Sequence, residues 1–545
     1  MTSSGEGPSS SNSPNQPNPP DRRGPAGRPY KGPKSAKPRR GKGPRSPEGS
    51  ARSGPGSRSG PRTGGSRRSG PPGKKLPPRP TGPAADHLAV HPARDAVCRY
   101  VIHQVGKFPN LGLADLRLPS GLDSRDAALA HAIYDAVVAR WLTLEHLLRA
   151  KSDKPWEQMD KLVRATLLVA AAQVLFLDRV PAYAVLDHIV QWTKINSTGG
   201  AGRFVNAVMR RIAELLPETG PEGARVELTH AQDQIPLSDG SALHLAQPLL
   251  PEDSRERLRI ATSHASELFF AWSHLSDEAL RARALHSLAM PPVVMNTRHA
   301  SPQSLQRFDM IQPHSVAGHH VFVGPAAAIA SMMAADKGLW VQDAASSHAV
   351  RLLDEHLKKQ GINPKDLGMV VDLCAGQGTK TRQLRATLPG VEIVATDTDE
   401  RRLITLAETF AGDDRVKVMP IDKLKRYCAA KAGVVLLDVP CSNTGVLARR
   451  PEAKYRYSSK SMQELVTLQR DIIDQGMALL RPTPGSVLLY STCSLEAQEN
   501  DDQVGWARAK WNLNLAFTQQ TEPKGQPGQG PSLYHDGSFA AGLVR

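Results

Sequence analysis

The chain has 545 residues with 69 Lys and Arg against 53 Asp and Glu, a net charge of +16. That length supports several domains, while five dispersed cysteines exclude a disulfide framework and the lack of a CxxC pair argues against a structural zinc site. The longest apolar stretch, 162–177, is interrupted by Arg164 and Gln173 and is too short to span a bilayer, and no signal-peptide core is expected at the N-terminus. A reducing, cytoplasmic setting is therefore expected, without a membrane or metal partner.

The charge is unevenly distributed. Residues 1–85 hold 18 Lys and Arg against Glu6, Asp21 and Glu48, leaving 51 basic and 50 acidic residues for the remainder. This segment is Pro, Gly, Ser and Arg with a single aromatic, Tyr30, and cannot bury enough surface to offset its chain entropy. It is predicted to be a disordered basic tail, either contacting phosphates or serving as a solvated extension.

From residue 86 apolar residues recur at helical spacing, through 93–105, 126–141 and 161–177, which predicts an all-α domain over 86–216. Arg179-Val180-Pro181-Ala182-Tyr183 and Gly202-Arg203-Phe204-Val205-Asn206-Ala207-Val208-Met209-Arg210-Arg211 resemble the NusB-like domain that precedes some RNA methyltransferases. The seven-residue step from Arg203 to Arg210 puts both on one helix face, which either meets RNA or is simply solvated; Arg211 and Asn206 join the same helix.

Residues 217–335 read as a linker, rich in Pro, Gly and Asp up to about residue 260, followed by a small α+β subdomain. Ser263-His264-Ala265-Ser266-Glu267-Leu268 and Pro291-Pro292-Val293-Val294-Met295-Asn296-Thr297-Arg298 resemble the RNA-gripping subdomain of the same enzymes.

Residues 336–545 alternate apolar strand runs with helical runs, as in an α/β Rossmann-like fold. The strand 369–373 runs into Cys374-Ala375-Gly376-Gln377-Gly378-Thr379-Lys380, whose glycines permit a tight turn against a ligand. A second strand, 391–396, ends at Asp397, an acid 25 residues after Asp372 and suited to ribose hydroxyls. Neither GxGxxG nor GxxxxGK[ST] is present, so S-adenosylmethionine, which carries no phosphate, fits better than a nucleotide. Asp422, after a third run at 416–421, is a candidate for the adenine amino group or a surface acid at a strand end.

A fourth strand, 434–437, delivers Asp438-Val439-Pro440-Cys441-Ser442-Asn443-Thr444-Gly445, and a fifth, 486–490, delivers Ser491-Thr492-Cys493-Ser494. Both cysteines thus fall at carboxyl ends of strands, where open α/β sheets bind ligands, while Cys98 and Cys428 lie on helical patterns and read as packing residues.

Together with Asp372-Leu373-Cys374-Ala375 and Glu499-Asn500, these motifs resemble those of RNA cytosine-C5 methyltransferases, and with the NusB-like front domain the chain is similar to the RsmB (Sun-type) family over 90–545; Gly537-Ser538-Phe539-Ala540-Ala541 matches the family's final strand. The resemblance implies S-adenosylmethionine-dependent methylation of carbon 5 of a cytosine in small-subunit (16S) ribosomal RNA, by a monomer. It implies that Cys493 is the nucleophile at carbon 6, that Cys441 serves adduct release, and that Asp438 contacts the cytosine ring and the cofactor. Lys380 is expected to stabilise the thiolate of Cys493, since a free thiol titrates near about pH 8.5. Arg449, Arg450, Lys454 and Arg456 are expected to hold the RNA backbone or to be a solvated run.

This chain departs from the family's Ala-Pro-Gly-Gly-Lys at Gly376, Gln377 and Thr379, and Thr379 places a Cβ where glycine is usual, which is expected to weaken cofactor binding unless Gly376 absorbs it. Two other readings stay open: the same chemistry on transfer RNA, and a non-catalytic RNA-binding assembly factor.

Overall fold

The computed structural model describes residues 91–112, 116 and 118–545, so the segment 1–85 lies outside the described residues. Six helices, Pro92–Val105, Ser124–Ala139, Trp141–Lys151, Lys161–Phe176, Ala182–Asn196 and Gly199–Ala213, form the first part. Lys161–Phe176 is their axis: every residue from Ala165 to Leu175 is buried, as expected of a helix apolar all round. Asp160 caps it by accepting from the Leu162 amide at 2.8 Å, and its one buried polar side chain beyond Thr166, Gln173, accepts from Arg94 Nε at 2.8 Å.

The helix expected over 126–141 is two helices. The chain breaks at Arg140, whose guanidinium turns inward to donate to the carbonyls of Pro236 (2.7 Å) and Ala261 (3.2 Å). The linker expected after 217 is also more ordered than its composition suggests. Arg225–Glu227, Gln234–Pro236 and Ser241–His244 form a three-stranded antiparallel sheet, and Ile235, Leu243, Leu245 and Leu250 enter the same core as the helices. These apolar residues are too widely spaced to show a period, but each packs on the bundle.

The sheet of the α+β part extends past the expected boundary at 335, its edge strand being Trp340–Val341. Helices Ser254–Ala261, Ser266–Ala271 and Asp277–His286 precede a four-stranded antiparallel sheet ordered Ile311–Pro313, His319–Phe322, Val294–Asn296, Trp340–Val341.

The last part is a seven-stranded sheet of β1 (Met369–Asp372), β2 (Glu392–Ala395), β3 (Val416–Val418), β4 (Ala432–Asp438), β5 (Val487–Thr492), β6 (Asn514–Thr521) and β7 (Ser538–Val544). Its order is β3-β2-β1-β4-β5-β7-β6, with β7 alone antiparallel to its neighbours. Two apolar clusters, one around Val371, Val435 and Leu488 and the other around Val370, Val434 and Leu489, cover the two faces, so the central strands are apolar on both sides. The third strand is shorter than its apolar run: Pro420 caps a helix, Ile421–Cys428, and Asp422 is an exposed residue of that helix's first turn rather than a strand end. No helix among the described residues is long and apolar enough to cross a membrane.

Candidate active site

The site forms where the sheet register sets two motifs side by side. β4 and β5 pair in parallel with Asp438 opposite Ser491, so the residues three beyond the one and two beyond the other emerge together. Cys441 Sγ lies 3.1 Å from Cys493 Sγ, and both are free thiols. The loop that carries Cys441 needs its own residues to get there. Asn443 adopts a left-handed φ of 63°, its Nδ2 donates to the Cys441 carbonyl (2.9 Å), and its Oδ1 lies 3.2 Å from Cys493 Sγ. Gly445 crosses the Cys493 loop so closely that a Cβ there would lie 2.8 Å from the carbonyl oxygens of Cys493 and Gly537.

Glu499 anchors this loop from below. Its carboxylate is buried and accepts from the Ser442 amide (2.9 Å), the Ser442 hydroxyl and Gln469 Nε2 (2.9 Å). Burial raises its pKa despite these donors. The Cys441 thiol is pushed well above the ordinary thiol range, first by its hydrogen bond with Cys493 and then by burial, with the Glu499 charge adding to both. The raised pKa favours the protonated form of the Cys441 thiol.

Lys380 and Asp438 face each other at 2.8 Å, and Lys380 also approaches Ser346 Oγ at 3.3 Å, while Ser491 Oγ donates to Asp438 Oδ1 at 2.7 Å. Burial opposes the Lys380 charge, but Asp438 outweighs it and Cys493 and Asp372 add to it, so its pKa is raised. The direct partner of Lys380, the cation expected to act on Cys493, is Asp438.

The glycine loop leaves the carboxyl end of β1. Gly376 and Gly378 take left-handed φ values of 57° and 88°. Thr379 follows Gly378 as the first residue of the helix Thr379–Thr387, so its Cβ costs no backbone strain. Asp397, beyond β2, accepts from the Gly376 amide (3.0 Å) and the Asp399 amide (2.8 Å), which brings it to the loop as expected. Cys374 and Ala375 occupy the strand-to-loop junction, with the Ala375 amide donating to the Thr396 carbonyl (2.9 Å) and burial raising the Cys374 thiol pKa. Asp372 beneath them is fully buried, keeps one oxygen on Thr381 Oγ1 (2.7 Å), leaves the other without a partner among the described residues, and is pushed up to about 7 by burial. The loop therefore offers a glycine turn beside a carboxylate, which suits an adenosine ribose. Gln377 is the exposed residue between the two glycines of the loop, and Asp422 is exposed on the helix Ile421–Cys428.

The run after Cys441 is not a solvated phosphate clamp. Arg449 is held by Asp536 (2.7 Å) and Asp343 (3.2 Å) against the Tyr534 ring, and Arg456 pairs with buried Glu452 (3.0 Å). Lys454 is fully buried, its Nζ donating to the carbonyls of Ala139 (2.8 Å) and Thr262 (3.1 Å), and burial takes its pKa well below the usual lysine range. Only Arg450 is exposed. On the helix Gly199–Ala213, Arg203 and Arg210 are exposed on one face as expected, whereas Arg211 is engaged by Asp153 (2.7 Å). Cys98 and Cys428 are buried in helices. Glu499 as loop anchor and buried Lys454 were not legible as such, because both arise from residues far apart in the chain.

Comparison with known proteins agrees with this layout. Residues 106–214 match the NusB family, and residues 359–537 match the 16S rRNA methyltransferase RsmB/F family. The chain is 28% identical over 413 residues to ribosomal RNA small subunit methyltransferase B of Xylella fastidiosa, covering 71% of this chain and 83% of that one. It is 26% identical over 447 residues to the protein of that name from Serratia proteamaculans, covering 78% and 92%. Among solved structures, PH0851 shares the fold with a TM-score of 0.58 at 18% identity, covering 83% of this chain and 99% of that one.

Proposed function

We propose that this chain, a member of the RsmB/F methyltransferase family with a NusB-family domain in front, methylates carbon 5 of a cytosine in small-subunit ribosomal RNA through a covalent cysteine adduct. Its cofactor is S-adenosylmethionine, which supplies an electrophilic methyl group. Gly376 to Gly378 and Asp397 would hold the adenosine part, Asp397 by accepting from the ribose hydroxyls. The observation that carries the reading is the pair of free thiols 3.1 Å apart beside the Lys380 and Asp438 pair.

Carbon 5 of cytosine is a weak nucleophile until the ring is activated. The Cys493 thiolate adds to carbon 6, forming an S–C bond, and the ring's electron pair moves toward carbon 5 and N3. Asp438 and Lys380 bound that ring and balance the charge it gains. The cytosine must leave its stack to expose carbon 6. Once carbon 5 carries its methyl group, the hydrogen on it must go. Cys441, held by Asn443 and Glu499 at contact distance from Cys493, is placed to take that proton as the C6–S bond breaks and Cys493 leaves with the electron pair. Because its pKa is raised, Cys441 acts in this step only after its own proton has passed to solvent, and its thiolate is then a strong base.

The test is methyl transfer from labelled S-adenosylmethionine to protein-free small-subunit ribosomal RNA by the full chain and by Cys493→Ala. Label in cytosine with the wild type and none with Cys493→Ala supports the reading. Label confined to transfer RNA moves the substrate, and absence of both cofactor binding and label leaves an RNA-binding assembly factor.

A further inference from the structure

The segment that follows Cys441 does not stay in the methyltransferase domain. Residues 452–457 pass between the helical front domain and the α+β subdomain, where Tyr455 Oη donates to the Val138 carbonyl (2.6 Å), accepts from the Trp141 amide (3.2 Å) and meets Ser263 Oγ (3.0 Å). Buried Lys454 ties the same two parts together through Ala139 and Thr262. Tyr455 in turn receives Phe108, whose ring stacks on Trp141 at 5.2 Å and lies 5.7 Å from the Tyr455 ring.

Phe108 belongs to the loop that leaves the first helix, and this packing fixes where the loop goes. Its base is held by the Phe108 amide on the Gln104 carbonyl (2.9 Å) and by Gln104 Oε1 on the Gly112 amide (3.3 Å). Two residues beyond Phe108, Asn110 is exposed and lines a cavity of about 300 Å³ together with Cys441, Asn443, Arg456 and Tyr457. A side chain of the front domain thus shares one cavity with the thiol of the methyltransferase domain.

We infer that Asn110 is a specificity-determining residue that hydrogen-bonds the RNA nucleotide entering this cavity. The inference rests on the function proposed above and deepens it. A carboxamide offers two N–H donors and one acceptor, the set that reads a base edge, and it adds no charge to a cavity already lined by both Arg456 and Glu464. The front domain is then a wall of the nucleotide site as well as an RNA-binding surface.

The experiment compares the full chain with Asn110→Ala and Asn110→Asp in steady-state methyl transfer to small-subunit ribosomal RNA, with thermal unfolding in parallel. For Asn110→Ala, kcat/KM for RNA is expected to fall about tenfold, the effect of one lost hydrogen bond, mainly through KM for RNA. KM for S-adenosylmethionine and the unfolding temperature stay at the wild-type values, because Asn110 is exposed and away from the glycine loop. Asn110→Asp, which loses the donors and adds a negative charge, falls further. Unchanged RNA kinetics in both variants overturn the inference, as does a loss matched by an equal drop in thermal stability. A wild type that transfers no methyl group to any RNA overturns the proposed function instead.

Discussion

Cys441 and Cys493, separated by 52 residues, hold their sulfur atoms 3.1 Å apart at the ends of neighbouring parallel strands. Two thiols at contact distance, one raised in pKa by the other, divide naturally into a nucleophile and a proton carrier. If they act in that order, removing the carrier leaves the adduct with no way out. Cys441→Ala should therefore accumulate an RNA–protein species that survives denaturing gel electrophoresis, whereas the Cys441→Ala, Cys493→Ala double variant should not. Methyl transfer by Cys493→Ala should fall by at least about 10³-fold.

Lys380 is the cation of the site and Asp438 its partner at 2.8 Å. Lys380→Met keeps most of the side chain's length but removes the charge proposed to balance the activated ring. We expect kcat to fall about 10²-fold, in the range found when one preorganised charge-stabilising group is lost. Single-turnover rates at saturating RNA and cofactor check this, and a rate within twofold of wild type would exclude Lys380 from the chemistry.

Asp372 makes a pH prediction with a definite sign. Its carboxyl, ordinarily near 3.8, is pushed up to about 7 by burial, so between these values the folded state holds a proton that the unfolded chain has lost. Stability contributed at this residue is thus present at acid pH and declines as pH rises toward 7. Asp372→Asn, which keeps an oxygen for Thr381, should raise stability at about pH 8 by roughly 1–3 kcal/mol and change it little at about pH 4. Urea unfolding of both proteins at the two pH values measures the difference.

Lys454 gives the opposite slope. Burial depresses the pKa of an amine that is ordinarily near 10.5, so its stabilising share is present above that value and is lost as pH falls toward the folded pKa. Wild-type stability should rise from about pH 7 to about pH 9.5 more steeply than that of Lys454→Met. Equal slopes in the two proteins would mean that the buried amine does not titrate in this window.

The fold was readable where short-range pattern and tertiary structure agree. Central strands buried on both faces leave continuous apolar runs, such as 434–437, and the motif residues follow them directly. Cys441 and Cys493 were found for that reason, and the glycine loop with Asp397 likewise. What failed were residues whose role depends on a distant partner. Lys454 and Arg449 look like a phosphate-binding run in the sequence, but one is buried against carbonyls of two other segments and the other is held between Asp343 and Asp536. Arg140 broke a helix that its neighbours' periodicity had carried through, because it reaches the Pro236 and Ala261 carbonyls. Asn110 gave no signal, since only the packing of Phe108 on Tyr455 brings it to the cavity.

The most direct test of the account is release of tritium from ribosomal RNA labelled at carbon 5 of cytosine, measured alongside methyl incorporation by the wild-type chain. Methylation of carbon 5 displaces the hydrogen on that carbon, so tritium should appear in water in a one-to-one ratio with methyl groups entering RNA. Methyl incorporation with the tritium retained would contradict the account, because it would place the new methyl group on another atom.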